Sequence, residues 1–128
     1  MTNEEKQLLI KVLCAELPHR TICEDVYGNS GILFDLTPEL NAVTLKISDL
    51  GSIWTTDIYN VKPYLRSMES MTDEEYDEFT DIPYIELYEN GRTITNGKEI
   101  DWLNAHHFDY RGLIEKGLAL PAPENMYH

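Results

Sequence analysis

Two adjacent histidines and an aspartate stand in the stretch NAHHFDYRGL, residues 104–113, and such side chains serve in both acid–base catalysis and metal binding. Metal ligands on a helix recur three or four residues apart, so that their lone pairs converge. His106 and His107 are neighbours and point about 100° apart on a helix, and Asp109 adds only a second ligand beside His106. This spacing predicts no metal site and no bound cofactor.

A hydrolase built on His106, His107 and Asp109 is the least favoured of three functional hypotheses. Covalent catalysis needs Ser, Cys or Thr beside a base, and the chain contains neither G-x-S-x-G nor H-E-x-x-H. Packing explains the stretch more simply, because Trp102, His106 and Tyr110 share one helix face while Asp109 caps the helix that follows. On that view His106 is a partly buried, hydrogen-bonded imidazole, and we expect no catalytic residue.

Charge is the unusual global property of the 128-residue chain, whose 23 acidic and 10 basic residues give a net charge of −13. Nucleic acids and anionic membranes bind proteins through lysine and arginine, so neither is an expected partner. Seven acids and no base lie between residues 69 and 81, and a protein with a basic surface is the partner that such an acidic surface fits. A solvated helix face that only confers solubility is the alternative. The members of this acidic surface are Glu69, Asp73, Glu74, Glu75, Asp77, Glu78 and Asp81.

The leading hypothesis is therefore a non-enzymatic protein that binds another protein, for example as an acidic decoy on a nucleic-acid-binding surface. The second hypothesis is a protein that binds a nucleotide or a signalling metabolite, with aromatic rings stacked on a base and arginine paired with phosphate. An intramolecular salt bridge is the alternative role for each arginine. The residues assigned to this ligand site are Trp54, Tyr64, Arg66, Trp102, His106, His107 and Arg111.

Secondary structure must position these residues, and the sequence predicts that it forms a single α+β domain over residues 1–128. Thr2 and Glu5 form a capping box at the start of a helix that Pro18 ends. The segments TICEDVY, GILFDL, AVTLKIS and SIWTTDIY then predict a small antiparallel meander. Alternation in AVTLKIS is expected to place the side chains of three apolar residues on one face, namely Val43, Leu45 and Ile47.

The second half of the chain predicts short helices and one hairpin. VKPYLRSMESMTDEEYDEFTD returns to helical character, with Thr72 and Glu75 as a second capping box. Asn90–Gly91 predicts a tight turn between PYIELYE and RTIT. Asp101 is expected to cap a short C-terminal helix, and the terminal APENMYH is expected to fray. The predicted fold is a meander plus hairpin, packed by an N-terminal helix and short C-terminal helices.

The N-terminal helix has a wide apolar face. Its polar edge is limited to Glu4, Gln7 and Lys11, and this width predicts a homodimer contact through the helix. The stretch lacks the basic start and apolar core of a secretory signal, which favours a cytoplasmic protein. Cys14 and Cys23 lack C-x-x-C spacing and are expected to be free thiols.

Three strings of the chain, WLNAHHFDYRGLIEKGLALPAPENMY, VKPYLRSMESMTDEE and CAELPHRTIC, resemble a family of small uncharacterised proteins encoded by phages and prophages of gut bacteria of the Bacteroides group. The family has no assigned catalytic residue, cofactor or partner, so the resemblance assigns no role to any residue. It implies that the chain is a phage accessory protein that acts in the cytoplasm of an infected bacterial cell. In that setting, the leading hypothesis becomes a protein that binds a host protein as an anti-defence factor.

Overall fold

The computed structural model describes residues 1–47, 51–82, 87–89, 92–94 and 98–127 of the chain. Helix α1 spans Asn3–Glu16, and its predicted capping box is present. Thr2 Oγ1 accepts a hydrogen bond from the Glu5 amide at 3.1 Å, and Glu5 Oε1 accepts one from the Thr2 amide at 2.9 Å. A 3₁₀ turn over Leu17–His19 follows, because Pro18 has no N–H with which to continue the α-helix.

Five strands follow α1 along the chain. The first four, β1 (Ile22–Asp25), β2 (Ser30–Thr37), β3 (Ala42–Lys46) and β4 (Ile53–Asp57), form the predicted antiparallel meander. Strand β5 (Val61–Leu65) then returns to the free edge of β1 and pairs with it, also antiparallel.

The remaining elements are short. Helix α2 spans Asp73–Thr80 with the predicted Thr72–Glu75 capping box, and β6 (Leu87–Glu89) and β7 (Arg92–Ile94) form the predicted hairpin. Helix α3 spans Lys98–Ala105, and β8 (Leu120–Pro121) pairs parallel with β5. The main sheet therefore has the order β4-β3-β2-β1-β5-β8, and the α+β fold class is confirmed. Both Asn-Gly pairs, at 90–91 and 96–97, lie outside the described residues.

One face of the main sheet holds the hydrophobic core. Helix α1 and the segment 113–119 cover that face, and their buried apolar side chains pack against those of β1, β2, β3 and β5. Burial of this apolar surface is the main source of stability for the domain. The buried members of the core are Leu9, Val12, Leu13, Cys23, Leu33, Val43, Leu45, Ile58, Val61, Leu65, Leu113, Leu118 and Ala119.

Three local predictions were wrong. VKPYL forms strand β5 rather than a helix, because Val61, Pro63 and Leu65 alternate with less buried residues and face the core. Asp101 lies inside α3, which begins three residues earlier, so it does not cap that helix. Ile47 lies beyond the end of β3 and is 61% exposed, unlike the two residues with which it alternates.

The apolar face of α1 is largely covered by its own chain. Leu9, Val12 and Leu13 are buried, and Leu8 and Ile10 are partly buried against the same core. The sheet and the segment 113–119 thus supply the cover that the width of the face requires. The homodimer stays a prediction. Within the described ranges, no helix combines the length and the apolarity needed to cross a membrane.

Gly31 on β2 is required by a close approach of Trp54 on β4. A Cβ atom at Gly31 would lie 2.6 Å from the Trp54 ring and 3.0 Å from the carbonyl oxygen of Lys46. We expect Gly31→Ala to lower the free energy of unfolding by about 1–3 kcal/mol, because overpacking forces the neighbours to shift. Denaturant titration measures this change. In a Trp54→Leu background the cost should be smaller, and an equal cost in both backgrounds would contradict the assigned cause.

Candidate functional site

The carboxylate of Glu16 is buried at the C-terminal end of α1. Glu16 is 1% exposed, although charged side chains are almost never fully buried without a partner. Its Oε2 accepts a hydrogen bond from Thr21 Oγ1 at 2.8 Å and lies 3.1 Å from Nδ1 of His107. Thr21 Oγ1 is also 3.1 Å from the same nitrogen. These three buried side chains form one polar unit, the Glu16–His107 cluster (Glu16, Thr21 and His107).

The ring proton of His107 is assigned to Nδ1 from this hydrogen-bond network. The single hydroxyl hydrogen of Thr21 lies within reach of two Glu16 oxygens, Oε2 at 2.8 Å and the main-chain carbonyl at 3.1 Å. Thr21 therefore donates to Glu16, so both neighbours of Nδ1 act as acceptors. In the neutral ring this leaves the lone pair on Nε2, which is the orientation that a carboxylate gives to a histidine that acts as a base.

The backbone at His107 is strained. Helix α3 ends at Ala105, and His107 adopts a left-handed conformation with φ of 62°. This conformation is uncommon for residues other than glycine, and such strain is concentrated at functional sites. Main-chain hydrogen bonds hold the segment beside the end of β5: the Arg66 amide donates to the His107 carbonyl at 2.7 Å, and the Asp109 amide donates to the Arg66 carbonyl at 2.8 Å.

Arg66 is fixed by an ion pair with Glu75 of α2. Its two terminal nitrogens donate to the two carboxylate oxygens, each at 2.6 Å, and the guanidinium lies 4.2 Å from the centre of the Phe108 ring. The hydrogen bonds from Arg66, with further ones from the Thr72 cap, lower the pKa of Glu75 from 4.5 to about 2. The guanidinium is therefore positioned before any ligand arrives.

Tyr127 covers one face of the His107 ring. The two ring centres are 3.7 Å apart with an interplanar angle of 17°. The hydroxyl of Tyr127 accepts a hydrogen bond from the Ile22 amide at 2.9 Å and donates one to the Tyr64 carbonyl at 2.8 Å. Burial of the ring raises the pKa of Tyr127. The expectation that the C-terminal segment frays was wrong for its described residues, because these contacts anchor it to β1 and β5.

His107 and Arg66 line a cleft of about 550 Å³. Its walls include Ile22 and Ile32, which are paired neighbours on β1 and β2, and Tyr127. Five histidines and arginines line the cleft with one carboxylate, although the whole chain has 23 acidic residues against 10 lysines and arginines and four histidines. The five are His19, Arg20, Arg66, His106 and His107, and the carboxylate is Glu75.

His106 borders the same cleft in a different environment. Its ring stacks on Trp102 with 4.1 Å between ring centres, and the side chain is 35% exposed. Nδ1 lies 3.7 Å from a carboxylate oxygen of Glu75, and Nε2 lies 3.9 Å from one of Glu78. His106 is partly buried, as expected. The deeply buried, hydrogen-bonded ring is that of the neighbouring His107.

The structure brings together three of the seven residues assigned to the ligand site, namely Arg66, His106 and His107. Trp102 reaches the cleft indirectly, through its stack on His106. The other three lie outside the cleft lining: Trp54 packs against the core on β4, Tyr64 contributes its carbonyl to the Tyr127 contact, and Arg111 lies over the ring of Tyr110.

Two members of the acidic surface are engaged by other side chains of the protein. Glu75 is held by Arg66, and Glu78 accepts a hydrogen bond from Trp102 Nε1 at 2.8 Å. The remaining five acids are exposed, namely Glu69, Asp73, Glu74, Asp77 and Asp81. Asp109, which the enzyme hypothesis grouped with the histidines, instead accepts hydrogen bonds from the amides of Leu113 and Ile114. Asp109 therefore caps a turn. The prediction of a helix after it was wrong, because residues 113–117 form turns between Gly112 and Gly117, whose positive φ angles interrupt helical backbone.

Sequence reasoning missed Glu16, Thr21 and Tyr127. One signal for Glu16 was present, because it follows Val12 and Leu13 at helical spacing and therefore lies on the buried stripe of α1. An acid at such a position needs a buried partner. Residues near Glu16 in the sequence could not identify this partner, since 91 positions separate Glu16 from His107.

Comparison with known protein families, curated proteins and solved structures found no match for the chain. Its own geometry is therefore the basis for assigning a function. Within the described part of the chain, no three His, Cys, Asp or Glu side chains are grouped so as to hold a metal ion. Cys23 is buried beside Glu16, and burial first and that carboxylate second raise the pKa of its thiol to about 12, so it is not a nucleophile at neutral pH.

The ion pair between Arg66 and Glu75 makes a pH-dependent contribution to stability. Because the pKa of Glu75 falls to about 2 on folding, the contribution is present above about pH 4.5 and is lost as the pH falls towards 2. Glu75→Gln keeps the capping box and removes the charge. We expect it to lower the free energy of unfolding by about 1–2 kcal/mol at neutral pH, after allowance for partial exposure of the pair.

Denaturant titrations of wild type and Glu75→Gln at neutral and acidic pH measure this difference, which should shrink towards zero near pH 2. Glu74→Gln is the matched control, because Glu74 is an exposed acid in the same first turn of α2. A difference that stays constant with pH would show that the Arg66 pair is not its source.

Proposed function

We propose that this protein binds a small ligand that carries a phosphate group, in the cleft lined by Arg66 and His107. The observation that carries the proposal is the collection of basic side chains there, in a chain of net charge −13. Over the chain, 23 acidic residues outnumber the 10 lysines and arginines and four histidines taken together, whereas in the cleft five arginines and histidines outnumber one carboxylate. This reversal favours the ligand-binding hypothesis over the protein-binding one, which the sequence alone ranked first.

The side chains in the cleft are suited to phosphate. An arginine carries five N–H donors in a planar fork that matches phosphate oxygens, and in Arg66 the Glu75 carboxylate and the Ser70 carbonyl occupy three of them. The other two donors are left for a phosphate oxygen, and a protonated imidazole adds a further N–H donor. Because Arg66 is already held by Glu75 and Phe108, binding loses little side-chain entropy there.

The size of the cleft sets the class of ligand. A volume of about 550 Å³ falls within the range of small-molecule sites, which hold ligands up to the size of a nucleotide. The apolar wall formed by Ile22 and Ile32 and the stacked rings of Tyr127 and His107 provide surface for a flat group. A mononucleotide combines such a group with a phosphate and is the natural first probe.

Calorimetric titration with inorganic phosphate and with adenosine monophosphate tests the proposal. We expect wild type to bind, and Arg66→Gln to weaken binding about tenfold or more, because a charge-assisted hydrogen bond contributes roughly 1.5–3 kcal/mol. Arg111→Gln is the matched control, because Arg111 lies outside the cleft lining and should bind as wild type does. Absence of binding by wild type, or equal losses in the two variants, would refute a phosphate site in the cleft.

A second candidate function rests on the five exposed acids of the acidic surface. Helix α2 exposes three of them, Asp73, Glu74 and Asp77, and its eight residues include no base. Such a surface fits a host protein that exposes a basic patch, in the infected cell implied by the resemblance to phage proteins. Charge complementarity of this kind raises the association rate more than the affinity.

Affinity capture from a bacterial lysate at low salt tests this second function. We expect wild type to retain a basic protein that Asp73→Asn/Glu74→Gln/Asp77→Asn does not retain, since the partner reads the charge of α2. Glu4→Gln/Glu39→Gln/Glu115→Gln removes the same charge from exposed acids elsewhere and should retain it. Equal recovery by both triple variants would exclude the acidic surface as the binding site.

A further inference from the structure

We propose that the cleft is also catalytic, and that His107, oriented by Glu16, acts as the general base in the hydrolysis of a small phosphodiester. This inference rests on the proposed function, because it requires the phosphate group to bind beside Arg66. It goes beyond binding, since a binding site needs neither a buried carboxylate behind an imidazole nor a strained backbone at that residue.

The Glu16–His107 cluster has the parts of a proton-accepting unit. The carboxylate is 1% exposed and the imidazole 7% exposed, so water screens their contact little. Nδ1–H donates to the carboxylate oxygen 3.1 Å away, which fixes the ring and stabilises the imidazolium that forms when Nε2 takes a proton. Among the described residues, the hydrogen bonds of the His107 side chain are all made at Nδ1, and its ring lines the cleft.

The cleft also holds a second imidazole that can serve as the acid. His106 lines the same cleft, and carboxylate oxygens of Glu75 and Glu78 lie 3.7 and 3.9 Å from its two nitrogens. Because the attacking and leaving oxygens are on opposite sides of phosphorus, one imidazole cannot serve both. Arg66 lines the same cleft. In the proposed step it binds the non-bridging oxygens and neutralises the charge that they gain.

The reaction step balances without any further reagent. Water transfers a proton to Nε2 of His107 while its oxygen forms a bond to phosphorus. The bond from phosphorus to the leaving oxygen breaks, and that oxygen takes a proton from the imidazolium form of His106. His107 then releases its proton to solvent and His106 regains one, so the products are a phosphomonoester and an alcohol. His106 and His107 are the catalytic residues, and Glu16 is a positioning residue.

The test measures hydrolysis of bis(p-nitrophenyl) phosphate by wild type and His107→Asn, with a chelator present. Asparagine keeps a group that donates to Glu16 and tolerates the left-handed backbone, so the variant should fold while losing the base. We expect its kcat to fall about 100-fold or more, which is the usual contribution of a general base. Arg111→Gln should hydrolyse the probe at the wild-type rate, because Arg111 lies outside the cleft lining.

Two further variants separate catalysis from structural effects. Glu16→Gln should lower kcat while KM stays close to the wild-type value, because the imidazolium loses the charge that stabilises it whereas Arg66 still binds the substrate. His106→Gln should slow hydrolysis of a deoxyribodinucleoside monophosphate about 100-fold and that of bis(p-nitrophenyl) phosphate much less, since nitrophenolate leaves without an acid. These readouts also apply if His107→Asn fails to fold.

Each outcome decides one of the two proposals. Turnover by wild type that depends on His107 and Glu16 in this pattern supports the catalytic inference. Phosphate binding without turnover, or turnover that His107→Asn retains, overturns the catalytic inference and leaves the binding function intact. Failure of wild type to bind either inorganic phosphate or adenosine monophosphate overturns the binding function, and the catalytic inference with it.

Discussion

The carboxylate of Glu16 is removed from water where α1 ends, and a charge in that position costs several kcal/mol unless hydrogen bonds compensate it. Thr21 and His107 supply the compensation, one from the start of β1 and the other from the segment after α3. Because neither partner can move away without leaving a buried charge unpaired, this interaction fixes the relative positions of three distant parts of the chain. The orientation of the His107 ring follows from the same requirement.

Main-chain hydrogen bonding carries this constraint to the rest of the cleft. The segment of His107 runs beside the end of β5, so the position of His107 determines the position of Arg66. Arg66 in turn holds Glu75 and, through it, the first turn of α2. Tyr127 closes the arrangement, because its ring stacks on His107 while its hydroxyl joins β1 to β5. The cleft is therefore a product of contacts between elements rather than of any single motif.

Local signals in the sequence predicted local structure well. Both capping boxes, the four-strand meander and the pairing of the hairpin strands β6 and β7 were predicted, because each depends on residues within a few positions of one another. Strand β5 was missed because VKPYL was grouped with the helical segment that follows it. In the structure, the pairing of β5 with β1 overrides that local preference. The candidate site was found only in part, since its histidines were visible but the burial of Glu16 and the contact of Tyr127 arise from pairing between distant residues.

The net charge of the chain and the charge of the cleft act over different distances. Within about one Debye length of the surface, roughly 8 Å at physiological salt, an approaching anion is repelled by the excess of acidic residues. Within the cleft it meets arginine and histidine side chains whose donors act at contact distance. Added salt therefore reduces the repulsion that slows an anion on its way to the cleft, whereas it weakens the attraction between the acidic surface and a basic protein. Added salt thus speeds association when the cleft binds an anion and slows it when the acidic surface binds a basic protein. The net charge alone does not identify the partner.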